Sequence, residues 1–309
     1  MKPAVILFRF SRRLGGAAAL LWMALLFAPA AGAQERADCR SFRSAVLSAP
    51  VRYCVFLPAS YSSPEAKTRR YPVLYLLHGL GANEQQMALS GEWNVLQQLR
   101  REGKVGEFLV VAPDGADTFY VNSKDGTTRY DDFFIREFLP FIERTYRVRA
   151  GRAARGITGI SMGGYGALHF AFAHPALFGS VSSHSGALMR VPLQGVNAGS
   201  AAGNLGARVL TRVFGDPIDR AAWDRNSPFV LARRNAASLR NIRIYFDCGT
   251  EDSYGFDRGA EELHRTLDAV QVPHEFHLDP GGHNMTYFLA HRPASFEFHW
   301  RVFEPARRQ

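Results

Sequence analysis

The stretch Gly159-Ile160-Ser161-Met162-Gly163-Gly164 constrains the fold of this chain more than any other, because it predicts a very tight turn from a strand into a helix. An apolar run precedes it and a helix-like run follows it. Glycines two residues before and two residues after a serine let the strand and helix backbones approach without a Cβ clash. The Ser161 hydroxyl then lies at the apex of the turn, where it becomes a nucleophile once a base accepts its proton.

Strand and helix patterns alternate on both sides of this turn. Continuous apolar runs are typical of strands buried on both faces, and their alternation with helices predicts a mostly parallel sheet covered by helices on both sides. An antiparallel hairpin of residues 42–47 and 51–57 is expected at the N-terminal edge. Ligands of such sheets bind at the carboxyl ends of the strands. The predicted buried strands are residues 72–77, 108–112, 156–160, 178–183, 242–246 and 274–278, and the predicted helices are residues 93–102, 128–146, 162–173, 258–270 and 293–303.

A serine nucleophile on this architecture needs an acid and then a histidine, each in a loop after a strand. His283 lies in a glycine-rich loop directly after the last predicted strand and is the predicted base. The acid must follow the strand 242–246. Asp252 is the preferred candidate because it lies furthest into that loop, although a simple helix N-cap is an alternative role for it. Three further carboxylates are close to it in sequence, namely Asp247, Glu251 and Asp257.

Two backbone N–H groups are predicted to stabilise the oxyanion that forms when the serine attacks. One belongs to Met162, the residue after the nucleophile, and the other to Leu80, in the loop after the strand 72–77. His78 also lies at the end of that strand, but the glycines that follow it favour a structural role for its side chain.

Other motifs in the sequence give little support to metal or nucleotide binding. His274 and His277 are three residues apart on a predicted strand, so their side chains face opposite sides and cannot share an ion. Residues 79–81 form a Gly-x-Gly string without the Lys-Ser/Thr of a phosphate-binding loop. The sequence therefore predicts neither a metal nor a cofactor.

Four strings of this chain occur together in one known group of proteins. They are Tyr75-Leu-Leu-His-Gly79, Gly159-Ile-Ser-Met-Gly-Gly164, Asp247-Cys-Gly-Thr-Glu-Asp252 and Gly281-Gly-His283. From about residue 40 to residue 303 the chain resembles the esterase D-like putative esterases of the α/β-hydrolase superfamily. That group includes feruloyl and acetyl-xylan esterases, S-formylglutathione hydrolase and bacterial mycolyltransferases.

The resemblance implies the α/β-hydrolase fold and agrees with the site residues named above. It implies Ser161, Asp252 and His283 as the catalytic triad, and Leu80 and Met162 as the donors of the oxyanion hole. Members of the group act on carbohydrate esters, thioesters and lipid acyl donors, so the resemblance does not fix the substrate.

Two features bear on the substrate pocket. Residues 186–240 interrupt the strand–helix alternation and are predicted to form a cap-like insertion over the site. Tyr287 stands where many relatives carry a tryptophan, which predicts an altered shape of the acyl pocket. The insertion is expected to give an open, polar cleft, because it contains Arg190, Arg208, Arg212, Arg220 and Arg225.

Residues 1–33 have the pattern of a secretory signal peptide. A basic start precedes an apolar run from 14 to 28, and small residues at 31 and 33 predict cleavage after Ala33. The predicted location is therefore secreted or periplasmic, with Sec or twin-arginine export both open. An uncleaved membrane anchor is the alternative. Residues 34–309 are then expected to form a single esterase domain.

Charge and cysteine content fit an exported protein without a nucleic-acid partner. Four of the 37 Lys and Arg residues lie in the first 33 positions, which leaves 33 basic against 28 acidic side chains. No basic run is interleaved with aromatic residues, so nucleic-acid binding is not predicted. Cys39 and Cys54 flank the predicted hairpin and could form a disulfide, which leaves Cys248 as a free thiol.

The sequence favours a secreted serine esterase that hydrolyses short-chain or aromatic carboxylic esters, including carbohydrate-linked ones, through an acyl-enzyme on Ser161. An acyltransferase of the mycolyltransferase type, with the same triad, is the alternative. A binding protein on a hydrolase scaffold is a third hypothesis, although such a protein has no need to keep all three triad residues together.

Overall fold

The computed structural model describes residues 34–191 and 201–304, so the expected signal peptide lies outside the described residues. Eight strands form one sheet in the order β1-β2-β4-β3-β5-β6-β7-β8. The six strands from β3 to β8 run parallel to one another, while β2 pairs antiparallel with both β1 and β4. The strands are β1 (Arg36–Ser44), β2 (Ala49–Leu57), β3 (Val73–Leu77), β4 (Leu109–Pro113), β5 (Arg155–Ile160), β6 (Ser180–His184), β7 (Arg243–Glu251) and β8 (Glu275–Gly282).

The helices connect these strands and cover both faces of the sheet. They are α1 (Gln86–Ser90), α2 (Glu92–Arg101), α3 (Tyr130–Phe133), α4 (Leu139–Thr145), α5 (Met162–Ala173), α6 (Ala201–Phe214), α7 (Arg220–Asn226), α8 (Pro228–Arg234), α9 (Ala236–Leu239), α10 (Phe256–Ala269) and α11 (Met285–Phe303). A π-helical turn, Phe134–Phe138, joins α3 to α4 without a break. The predicted α/β fold with an antiparallel N-terminal hairpin is confirmed.

The two faces of the sheet carry separate apolar cores, because alternate residues of a strand point to opposite sides. In β3, Val73, Tyr75 and Leu77 belong to the larger core, whereas Leu74 and Leu76 belong to the smaller one. The smaller core is completed by side chains of α2 and α11, and the larger core by α5 and α10 among others. Burial on both faces explains why the central strands are continuous apolar runs in the sequence.

Several element boundaries differ from the predicted ones. Strand β7 runs to Glu251 instead of residue 246, and β8 runs to Gly282 instead of residue 278. The first strand covers Arg36–Ser44 instead of residues 42–47, because an edge strand exposed on most positions needs no apolar pattern. The last helix begins at Met285 instead of residue 293. Asn284 caps it by accepting a hydrogen bond from the Tyr287 N–H at 3.1 Å, and Pro293 lies inside the helix, not in its first turn.

Two cross-links tie distant segments together. A disulfide joins Cys39 to Cys54, which are directly opposite each other on β1 and β2. Asp131 on α3 accepts hydrogen bonds from His169 at 2.7 Å and from His174 at 3.0 Å. Burial alone would raise the pKa of Asp131, but these two histidines hold it well below its ordinary value.

The predicted insertion lies between β6 and β7 and contains α6 to α9, with residues 192–200 outside the described residues. Within the described ranges, no helix combines the length and the apolar character needed to cross a membrane. The parallel strands β3, β5, β7 and β8 all end at the same edge of the sheet. The loops that follow them carry the predicted site residues, so the topology brings those residues together.

Candidate active site

Ser161 lies in a strained turn between β5 and α5. Its backbone has φ 53° and ψ −119°, a conformation that residues other than glycine rarely adopt. A Cβ atom on Gly159 would lie 2.3 Å from the carbonyl group of Gly163, and one on Gly163 would lie 2.1 Å from the carbonyl oxygen of Leu77. The two glycines are therefore required by close backbone contacts, and the turn holds the Ser161 side chain at the edge of the sheet.

The structure brings the three predicted triad side chains into one hydrogen-bonded row. The Nε2 atom of His283 lies 3.0 Å from the Oγ atom of Ser161, and its Nδ1 atom lies 2.7 Å from Oδ2 of Asp252. These distances suit a serine that donates to a neutral imidazole, which in turn donates to a carboxylate. The arrangement can accept the serine proton during attack on a carbonyl carbon.

The Asp252 carboxylate is buried and is held by backbone donors as well as by His283. Its Oδ1 atom accepts hydrogen bonds from the N–H of Tyr254 at 2.9 Å and from that of Phe256 at 3.5 Å. Burial would raise the pKa of Asp252, but the hydrogen bond from His283 and these backbone donors keep it below its ordinary value. The carboxylate is therefore ionised and oriented at neutral pH.

The other carboxylates near Asp252 do not take its place. Asp247 lies in the middle of β7, buried in the core, with its Oδ2 atom 2.7 Å from Nδ1 of His184. Burial lowers the pKa of His184, so the imidazole is neutral at pH 7. Glu251 and Asp257 make no hydrogen bond to His283 among the described residues.

The loop after β3 contains the predicted oxyanion donor Leu80 between two residues whose N–H groups have partners. The N–H of Gly79 donates to Oε1 of Gln86 at 3.0 Å, and the N–H of Gly81 donates to Oδ1 of Asp117 at 3.0 Å. The N–H of Leu80, between them, makes no hydrogen bond to any residue that the structure describes, and the same is true of the Met162 N–H at the start of α5. Two backbone donors next to Ser161 therefore remain for an oxyanion.

Sequence reasoning missed the side chains that hold this loop. Gln86 also donates to Glu92 at 3.1 Å, and Glu92 forms a fully buried ion pair with Arg292 of α11 at 2.6 Å. His78 is buried and accepts a hydrogen bond from the Gly115 N–H at 2.8 Å, in keeping with a structural role. A buried Glu–Arg pair has no local sequence pattern, since its partners are 200 positions apart in the chain.

A pocket of about 300 Å³ opens beside Ser161, and its walls are mostly apolar. Part of the wall comes from α6, which belongs to the segment between β6 and β7. The expectation of a polar cleft is wrong for the described part of the insertion. The apolar side chains of the wall include Leu80, Phe119, Met162, Met189, Leu205 and Leu210.

The five arginines from which a polar cleft was expected are all exposed and do not line the pocket. Arg190 lies near Glu262, Arg220 pairs with Asp224, and Arg212 donates to the Asp117 carbonyl at 2.7 Å. Tyr287 is also absent from the pocket wall. Its ring packs against Gly281 and stacks on His291 at 4.0 Å, behind the His283 loop, so the expected effect of Tyr287 on the acyl pocket is not supported.

The His283 imidazole is enclosed by aromatic rings. Tyr254, Phe256 and Phe288 meet it edge-on at centroid distances of 4.8, 5.5 and 5.3 Å. All three rings also line the pocket. They limit the rotation of the imidazole and exclude water from its faces, which keeps Nε2 directed at Ser161.

Comparison with known proteins finds a matching family and several relatives. A family model described as "Putative esterase" matches residues 44–296, a range that contains Ser161, Asp252 and His283. Esterase Rv1288 of Mycobacterium tuberculosis is 33% identical over 250 residues, which are 74% of this chain and 51% of that protein. The chain therefore spans about half the length of this curated relative.

Two further similarities come from a solved structure and from a transferase. A structure of a ferulic acid esterase superposes with a TM-score of 0.73 at 30% identity, covering 88% of this chain and 99% of that one. The diacylglycerol acyltransferase/mycolyltransferase Ag85B of Mycobacterium leprae is 27% identical over 232 residues, which are 71% of this chain and 68% of that protein.

Proposed function

The chain belongs to the putative esterase family, and on that premise we propose that it is a secreted serine esterase that hydrolyses short-chain or aromatic carboxylic esters, including carbohydrate-linked ones. The observation that carries the proposal is the row of hydrogen bonds from Ser161 through His283 to Asp252, beside an apolar pocket. We propose no cofactor for this reaction.

In the proposed mechanism, Oγ of Ser161 attacks the ester carbonyl carbon while Nε2 of His283 accepts the serine proton. The carbonyl oxygen becomes an oxyanion that the N–H groups of Leu80 and Met162 stabilise. His283 then gives its proton to the departing alcohol, which leaves an acyl group on Ser161. A water molecule, deprotonated by His283, attacks this acyl-enzyme and releases the free acid. Asp252 stabilises the imidazolium form of His283 in both steps.

The size and lining of the pocket support a short or aromatic acyl group. About 300 Å³ is at the small end of the range for ligand pockets, so a long acyl chain would extend beyond it. The aromatic rings of Phe119 and Tyr254 line the pocket and could pack against an aromatic acyl group. The similarity to a ferulic acid esterase supports the same substrate class.

We also propose that residues 1–33 are a signal peptide and that residues 34–309 form one exported esterase domain with a cap-like insertion at 186–240. The Cys39–Cys54 disulfide supports an oxidising compartment, since disulfides persist outside the cytosol. N-terminal sequencing of the exported protein should find Gln34 as its first residue. A mature protein that keeps the apolar run 14–28 would support a membrane anchor instead.

The test of the catalytic proposal is Ser161→Ala, assayed on p-nitrophenyl esters of acids of increasing length and on methyl ferulate. Loss of the nucleophile should lower kcat by about 10^4-fold or more with the fold unchanged by circular dichroism. Ser63→Ala, in an exposed loop, is the matched control and should behave as wild type. Activity of Ser161→Ala within tenfold of wild type would contradict the assignment. If the wild-type protein hydrolyses none of these esters, the binding-protein hypothesis gains support.

Acyl transfer is the second candidate, and two observations favour it. The chain is similar to a mycolyltransferase, and the pocket wall is apolar, which suits an acyl-enzyme protected from water. Product partitioning separates the two reactions. With a long-chain donor and excess sugar acceptor, hydrolysis predicts mainly free acid, whereas mainly acylated sugar would favour transfer.

A further inference from the structure

Away from the active site, two histidines and a carboxylate of this chain lie close enough to hold one metal ion. His264 and Asp268 are four residues apart on α10, and His274 lies in the turn just before β8. Nδ1 of His264 is 2.7 Å from Nε2 of His274, and Nε2 of His264 is 3.4 Å from Oδ2 of Asp268. One donor atom from each of the three residues lies within 4.8 Å of the other two.

The geometry around His274 places a lone pair on its Nε2 atom, which accepts a hydrogen bond from His264 and can bind a metal ion in its place. The Nδ1 atom of His274 lies 2.8 Å from the carbonyl oxygen of Val272. Because a carbonyl oxygen can only accept, Nδ1 must carry the ring proton, and the lone pair of the neutral imidazole is then on Nε2. Histidines that bind metals commonly donate their second ring nitrogen to a backbone carbonyl in this way. The His274 side chain is buried, with 3% of its surface exposed, so this orientation is fixed.

Aromatic neighbours pack against the two imidazole rings. The His264 ring stacks on Phe276 at a centroid distance of 4.9 Å, and the His274 ring stacks on Phe246 at 5.6 Å. The Asp268 side chain is 61% exposed and can adjust to a third ligand position. The half-exposed His264 and the exposed Asp268 can adjust around the buried His274 imidazole, which makes a site that an ion could enter from solvent.

We propose that His264, Asp268 and His274 form a binding site for a divalent transition-metal ion, with Zn²⁺ the best match. Imidazole nitrogens and carboxylate oxygens are common zinc ligands, and three of them leave a fourth tetrahedral position for water. The sequence paired His274 only with His277, on the opposite face of the strand. The structure instead pairs it with His264, which is ten residues earlier and on a different element.

The site is structural and not catalytic, because it lies at the opposite end of β8 from His283. It would clamp the end of α10 to the start of β8. Those two elements form most of the segment between Asp252 and His283, so bound metal stabilises the stretch of chain that positions the acid and the base.

The experiment is calorimetric titration of the mature enzyme with ZnSO₄ after EDTA treatment and dialysis. Wild type should bind one Zn²⁺ saturably and show a higher Tm with the metal. His264→Gln and Asp268→Asn, both at partly exposed positions, should keep the fold and the esterase activity. Loss of an outer-shell partner weakens metal binding by about 10-fold to 100-fold, so the loss of a ligand should weaken it at least as much.

His277→Gln is the matched control, since His277 is an exposed histidine of β8, three residues after His274, and lies outside the cluster. It should bind Zn²⁺ as wild type does. The proposal is overturned if wild type shows no saturable binding, which would mean that His264 and His274 only share a hydrogen bond. It is also overturned if His264→Gln and Asp268→Asn both keep the wild-type affinity.

Discussion

Replacing Asp252 with asparagine tests the choice of catalytic acid. The two oxygens of this carboxylate have different partners: Oδ1 accepts the backbone N–H groups of Tyr254 and Phe256, and Oδ2 accepts the Nδ1–H of His283. In Asp252→Asn, the amide oxygen should take the Oδ1 position, because an NH₂ group there would face two donors. The NH₂ group would then face His283.

That orientation forces the wrong tautomer on His283. With an NH₂ group opposite it, Nδ1 must accept a hydrogen bond, so the ring proton moves to Nε2. An Nε2–H group cannot accept the proton of Ser161. We therefore expect kcat to fall by about 10^4-fold, with little change in Tm, because a side chain of the same shape still accepts both backbone donors.

Asp247→Asn is the matched control, since Asp247 precedes Asp252 by five residues and is also buried. Burial would raise the pKa of its carboxyl, but the contact with His184 holds that pKa below its ordinary value. The control should weaken this contact and lower the stability of the fold by about 1–3 kcal/mol. It should leave kcat of the folded enzyme within about tenfold of wild type, since Asp247 does not touch His283.

The assay is kcat on p-nitrophenyl acetate at pH 7.5, together with Tm by circular dichroism, for both variants. The reasoning is refuted if Asp252→Asn keeps a kcat within tenfold of wild type. It is equally refuted if folded Asp247→Asn is the more damaged enzyme, because Asp247 would then be the acid.

Three further changes have definite expected outcomes. Gln86→Ala removes the acceptor of the Gly79 N–H, so the loop that carries the proposed oxyanion donor should shift and kcat should fall by about 10-fold to 100-fold. Gln85→Ala, at an exposed position, should leave kcat unchanged, and steady-state kinetics measures both variants. Cys39→Ser removes a disulfide that spans 15 residues and should lower the unfolding free energy by about 3 kcal/mol with kcat unchanged, as measured by urea denaturation. Asp131→Asn should destabilise the fold by about 1–3 kcal/mol at pH 7. Because the pKa of Asp131 is lower in the folded chain than in the unfolded one, its contribution to stability is complete above about pH 4. That contribution is lost as the pH falls through the folded-state pKa, so the difference in Tm between Asp131→Asn and wild type should shrink in acid.

The central sheet could be predicted because its strands are buried on both faces. Strands β3 and β4 are apolar and buried at every position, which makes them easy to recognise in the sequence. The edge strand β1 has no such requirement. Most of its residues are exposed, so its pairing is set by β2 and by the disulfide, neither of which appears as a local pattern.

The site could be predicted in part for a similar reason. Ser161 can be recognised by its neighbouring glycines, which are needed because the backbone of Gly163 packs closely against that of Leu77. His283 can be recognised because it follows the last strand. The acid has no such mark. Asp247 lies within β7 and Asp252 follows its last residue, and no sequence pattern shows that the strand continues past residue 246. That continuation places Asp247 in the core and leaves Asp252 at the strand end, where its carboxylate meets backbone N–H groups.

The polarity of the pocket was predicted wrongly because composition averages over the faces of a helix. Two residues along an α-helix correspond to about 200°, so a residue two positions after a pocket residue points away from the pocket. In α6, Gly206 and Leu210 line the pocket, while Arg208 and Arg212 follow each of them by two positions and are exposed. Arg212 even supports the site, since it donates to the carbonyl of Asp117, whose carboxylate holds the loop of the proposed oxyanion donor. An arginine-rich segment can therefore present an apolar wall to the pocket, while one of its arginines helps to hold the neighbouring loop.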